Sequence, residues 1–73
     1  MNLRAHRNAL GISQSRLARL SSVSRFKICT YELGDGSLTA EEQTRIREAL
    51  QAEAERLRQI STHFDSAWTG ELE

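Results

Sequence analysis

The chain of 73 residues has one cysteine, Cys29, no proline, four glycines and few aromatics. A single cysteine excludes an intrachain disulfide, and neither it nor the isolated His6 and His63 stands at zinc-ligand spacing, so no metal and no cofactor is expected. Nowhere does an apolar run approach the roughly 18 residues of a membrane span, and residues 1–7 are charged with no apolar stretch behind them, which points to the cytoplasm and away from a membrane. No Ser/His/Asp or Cys/His constellation and no phosphate loop is present. With so small a core there is no room for an enclosed pocket, and an enzyme is not expected. A chain this short hides only about 60% of its unfolded surface and is marginal without help; with metal and disulfide set aside, a partner chain is the help that remains.

Net charge is also lacking, because ten Lys/Arg balance ten Asp/Glu. The balance hides a division. Residues 1–38 carry Arg4, Arg7, Arg16, Arg19, Arg25 and Lys27 against Glu32 and Asp35, net +4, whereas residues 39–73 carry four Arg against eight acids, net −4. Such asymmetry is compatible with a basic binding face on an acidic body, and equally with two solvated halves, so it needs a motif to give it meaning.

Local signals divide the chain into four helices. Leu3, Arg7 and Leu10 share one face of a helix over residues 2–10 that Gly11 ends. Ser13 caps a second helix over residues 14–20, with Leu17 and Ala18 inward and Arg16 and Arg19 outward. Ser21 and Ser22 make a turn, and Ser24 caps a third helix over residues 25–33 that Gly34 stops. Thr39 and Glu42 fit a capping box, in which hydroxyl and carboxylate each satisfy an orphan backbone N–H, so a fourth helix starts there. Residues 40–69 lack both glycine and proline. Glu41/Arg45, Glu53/Arg56 and Glu55/Arg58 stand at helical spacing with the acid first. Ile46, Leu50, Leu57, Ile60, Phe64 and Ala67 or Trp68 recur in steps near 3.5, with Ala54 filling the gap, and form one continuous apolar stripe. Thr62 and Asp65 fit a second capping box, which allows a break near 61–62.

The expected fold is therefore all-α: a compact bundle of four helices with the last one extended. Residues 1–50 form the domain and residues 51–73 a helical extension. Helices two and three, joined by a tight turn, have the form of a helix-turn-helix. The register Leu3, Arg4, Arg7, Leu10, Gly11, Ile12, Ser13, Gln14, Leu17, Ala18, Val23, Ser24, Arg25, Ile28, Tyr31, Glu32, Gly34 resembles the phage lambda repressor and Cro-like family, often called the Xre family. The resemblance covers residues 2–50. It departs at Ser22, where the family usually has glycine, and at residues 50–53, which run straight on where the family usually turns into a short fifth helix.

With Ile28 in the core, a 100° step per residue sets Phe26, Thr30 and Leu33 on the opposite side, with Lys27 and Cys29 on the flanks. Arg25 near the helix start has the fork for guanine O6 and N7, and Phe26 offers an apolar surface for a thymine methyl. The resemblance makes the positions of Arg25, Phe26 and Thr30 base readers, with Lys27 at a flanking base or a phosphate. Ser13, Gln14 and Ser24, at helix starts, are the expected phosphate contacts that set register without reading sequence. Arg7 and Glu32 occupy positions that form an internal ion pair in the resembling family. Cys29 is expected to be a small half-buried hydrophobe rather than a redox switch, and His6 and His63 to face solvent.

Leu50, Leu57, Ile60, Phe64 and Trp68 together exceed what one exposed helix leaves in water, so either the helix folds back on its own domain or, the favoured expectation, it pairs with a second copy of the chain. Two copies would read two half-sites about 34 Å apart, so the expected operator is an inverted repeat. The functional expectation is a sequence-specific regulator of transcription that binds double-stranded DNA, most simply a repressor that occludes a promoter. The alternative is an antitoxin-like module that neutralises a partner protein through its C-terminal helix.

Overall fold

Each of the first three helices begins on a side chain that satisfies a backbone N–H left over at its start. The computed structural model describes residues 2–72, with side chains described for residues 2–61. Helix α1 spans Leu3–Ala9 and is capped by Asn2, whose Oδ1 accepts from the Ala5 N–H at 3.0 Å. Helix α2 spans Gln14–Ser21, and the Ser13 Oγ accepts from the Arg16 N–H at 3.0 Å. Helix α3 spans Arg25–Glu32, and the Ser24 Oγ accepts from the Phe26 N–H at 3.1 Å. Helix α4 spans Ala40–Leu72. At its start the Thr39 N–H donates to Glu42 Oε1 at 3.0 Å while the Glu42 N–H donates to Thr39 Oγ1 at 3.1 Å, the reciprocal capping box. The optional break near 61–62 is not taken, since α4 runs on as one helix, and the side chains of Thr62 and Asp65 lie outside the described residues.

Helix ends are set by two left-handed glycines. After α1, Gly11 at φ 69° lets its own N–H reach the Asn8 carbonyl at 3.0 Å and the Ile12 N–H reach that of Arg7 at 3.3 Å. After α3, Gly34 at φ 84° does the same toward Tyr31 at 3.1 Å, and Asp35 toward Thr30 at 2.9 Å. Both are Schellman closures, which use up orphan carbonyls and turn the chain sharply. Between α2 and α3 the left-handed residue is Ser22, at φ 59° and ψ 30°. A Cβ in that conformation is disfavoured by roughly 1–2 kcal/mol. The turn keeps Ser22 exposed and sends Val23 into the core, 4% exposed.

Each helix places one large side chain in the centre: Leu3, Leu17, Ile28 and Ile46 are its four most completely buried members. Ile12, Val23, Leu38, Ala49 and Leu50 complete this core, and Leu10, Ala18 and Tyr31 pack on its edge. Helix α2 lies between α3 and α4 and packs on both. Leu50, grouped in the sequence with the dimerisation stripe, is buried in the domain's own core at 7% exposure. The reason is that the early turns of α4 lie across α2, and the contact continues to Glu53, which meets Arg16 of α2. Past Glu53, Leu57 is half-buried and Ile60 is 49% exposed, while Phe64 and Trp68 lie outside the described side chains. Among the described residues no helix is long and apolar enough to cross a membrane.

Candidate nucleic-acid interface

Ile28 is fully buried, and this single anchor orients α3. The side of the helix turned from it carries Phe26 at 74% exposure, with Leu33 just beyond the helix end at 65%. Arg25 is exposed at the first helical position and has no ion-pair partner among the described residues. Arg25, Phe26 and Cys29 line a shallow groove of about 280 Å³. An apolar ring left this open has no role in the core, and beside an unpartnered guanidinium it presents a donor fork next to a flat apolar surface. That combination is suited to a planar acceptor pair with a methyl group nearby.

Thr30 sits on the same side but is less available. Its hydroxyl is directed to the carbonyls of Phe26 at 3.0 Å and Lys27 at 3.2 Å. Gly36 lies against it so closely that an added Cβ would come within 2.7 Å of Thr30 Oγ1. Lys27 points to the flank and across to α4, where its ammonium donates to Glu42 Oε2 at 2.8 Å. Cys29 is half-buried. His6 is exposed, its Nδ1 2.7 Å from the Asn2 carbonyl, and His63 lies outside the described side chains.

Beneath this face lies an ion pair that ties three segments together. Arg7 of α1 donates through Nε to Glu32 Oε2 at 2.9 Å and through Nη2 to Glu32 Oε1 at 3.0 Å, a bidentate pairing. A third donor of the same guanidinium, Nη1, reaches the Ile12 carbonyl at 2.9 Å. Gln14 adds its amide N–H to Glu32 Oε1 at 3.0 Å. The Glu32 side chain is 3% exposed and that of Arg7 12%. Hydrogen bonding from Arg7 holds the Glu32 carboxyl below the usual carboxylate range, against the opposing effect of burial and with help from Gln14 and Arg4. Gln14, at a position expected to meet a phosphate, commits one of its two amide N–H groups to Glu32, because its side chain folds back toward the end of α3. Ser13 and Ser24 use oxygen lone pairs as caps and keep their O–H donors.

Charge is distributed differently from the reading of the sequence in halves. Three of the six cations in residues 1–38 are held by carboxylates: Arg7 by Glu32, Arg16 by Glu53 and Lys27 by Glu42. Two of those carboxylates come from α4, so the acidic segment folds onto the basic one and cancels part of its charge. Arg16, expected to point outward, reaches Glu53 at 3.3 Å, and Glu53 also takes Arg56 at 2.6 Å. No periodicity could have signalled either α4 contact, since an exposed Arg and a bridging Arg occupy the same kind of helix position. Among the described residues no group of His, Cys, Asp or Glu side chains could hold a metal ion. No family model, no curated protein and no solved structure matches the chain.

Proposed function

We propose that this chain is a sequence-specific regulator of transcription of the lambda repressor and Cro-like type, which lays α3 in the major groove of double-stranded DNA. The observation that carries the reading is an unpartnered, exposed Arg25 at the start of α3 beside a 74%-exposed Phe26 that lies opposite the buried Ile28. In this reading Arg25 forks onto guanine O6 and N7, Phe26 rests on a thymine methyl, and Thr30 contributes by contact rather than by a donated proton. The hydroxyls of Ser13 and Ser24, with the remaining amide N–H of Gln14, hold phosphates and fix the register. Such a protein works in the cytoplasm beside its operator and needs no cofactor.

One α3 reads too few base pairs for a useful site, and the stripe of α4 continues past the body with Ile60 half in solvent. Both features favour a homodimer joined through Leu57, Ile60, Phe64 and Trp68 on an inverted-repeat operator. Sedimentation at tens of micromolar tests this part, and a clean monomer there refutes it. The same stripe also supports a second reading, an antitoxin-like module that covers a partner protein with its C-terminal helix, and a heterologous protein co-purifying in fixed ratio favours that reading. Selection from a pool of random duplexes at stated salt tests the DNA reading: it predicts an enriched inverted repeat, and a pool that stays random refutes it.

A further inference from the structure

Lys27 is the one cation of α3 besides Arg25, and it stands at the edge of the exposed face where a phosphate would be met. Its ammonium is already occupied. It donates to Glu42 Oε2 at 2.8 Å, while the other oxygen of the same carboxylate accepts the Thr39 N–H at 3.0 Å. The Glu42 N–H is tied back to Thr39 Oγ1 at 3.1 Å, so the residue is anchored to Thr39 both through its backbone and through one carboxylate oxygen. Its side chain is 15% exposed, against 51% for Lys27. The acid is thus the fixed member and the lysine the one that comes to it.

We propose that Glu42 is a specificity determinant: it occupies Lys27 and so removes one sequence-independent phosphate contact from the DNA-facing surface. The inference rests on the DNA-binding reading above and extends it. A cation that meets phosphate strengthens binding to every duplex alike, because the gain is counterion release. A cation already neutralised inside the protein releases nothing. Cancelling Lys27 therefore lowers affinity for random DNA without touching what Arg25 and Phe26 read, and the ratio of specific to random binding depends more heavily on those two side chains.

The variants are Glu42→Gln, Lys27→Gln and the double substitution, measured by fluorescence anisotropy on random and selected duplexes across a salt series. Glutamine serves as well as glutamate in the capping box, so Glu42→Gln frees Lys27 while α4 keeps its start; circular dichroism checks this. The expected result is that Glu42→Gln steepens the slope of log K against log salt by about 0.9 on both kinds of duplex. Over a fourfold salt range that slope corresponds to a gain about 3–4-fold larger at the low-salt end. Lys27→Gln alone leaves the slope where it was, and the double variant returns to it. A slope unmoved by Glu42→Gln, or one that flattens by about 0.9 on Lys27→Gln alone because the lysine already sits on phosphate, overturns the inference and leaves the DNA reading standing. A wild-type chain that binds no duplex at any salt overturns both.

Discussion

Arg16 of α2 and Glu53 of α4, 37 residues apart in the chain, meet at 3.3 Å. Glu53 exposes 5% of its side chain, and Arg56, one turn further along α4, closes on it at 2.6 Å. A carboxylate this well covered is tolerated because two guanidinium groups share it, and the pair then fixes α4 against α2. One donor of the network, Arg16 Nε, is buried and has no acceptor. Removing Glu53 strands Arg16 further, whereas replacing the whole bridge with apolar side chains does not. Glu53→Ala is expected to lower the thermal midpoint, and Glu53→Leu combined with Arg16→Met to recover it; equal midpoints for Glu53→Ala and wild type would contradict this account.

Acid should unfold the domain through a small set of carboxylates. Glu32, Glu42 and Glu53 are each held below the ordinary value of 4.5, first by a hydrogen bond from Arg7, Lys27 and Arg56 respectively. A carboxyl with a lower pKa folded than unfolded binds fewer protons in the folded state. Its stabilisation is therefore complete above the unfolded value and is lost as pH falls through the folded one. Urea midpoints should be flat from pH 7 to about 5 and drop progressively below about 4. A midpoint that stays level as the pH falls below about 4 would show that the three pairs contribute nothing.

Ser22 holds a backbone conformation suited to glycine. Ser22→Gly relieves the Cβ strain but adds freedom to the unfolded chain, and the first effect is the larger. The expected gain is about 1 kcal/mol in urea unfolding, with DNA affinity unchanged because Ser22 lies in the turn and not on the exposed side of α3. A loss of stability would mean that the serine makes a compensating contact.

Arg7 supports α3 from behind. Truncating it leaves Glu32 buried and charged, and Arg7→Ala should cost about 3 kcal/mol of stability. Any loss of DNA binding in that variant should follow the folded fraction by circular dichroism and vanish at temperatures where the variant is folded. A fully folded Arg7→Ala with weakened binding would instead make Arg7 a contact residue.

What was legible in the sequence was mostly what is local. Ser13, Ser24 and the Thr39/Glu42 box announce their helices because cap and orphan N–H lie within three residues of each other, and Gly11 and Gly34 announce the ends for the same reason. The Arg7–Glu32 pairing spans 25 residues, and resemblance rather than spacing pointed to it. Lys27–Glu42 and Arg16–Glu53 were not legible, because a surface cation at helical spacing reads the same whether it faces water or an acid on another helix. The burial of Leu50 was missed for a related reason: a stripe with a 3.5-residue step does not say where the chain's own core ends and an unpartnered face begins.

The central claim, that Arg25 and Phe26 at the exposed start of α3 read bases, is tested most directly by comparing wild type and Arg25→Ala on the selected duplex, its single-base variants and random DNA at one stated salt. The account predicts that wild type prefers the selected duplex by about 10³-fold or more. It predicts further that Arg25→Ala loses about 1–3 kcal/mol of discrimination at one base position while its affinity for random DNA falls only slightly. Equal affinity of wild type for selected and random duplexes, or a uniform loss at every position in Arg25→Ala, would contradict it.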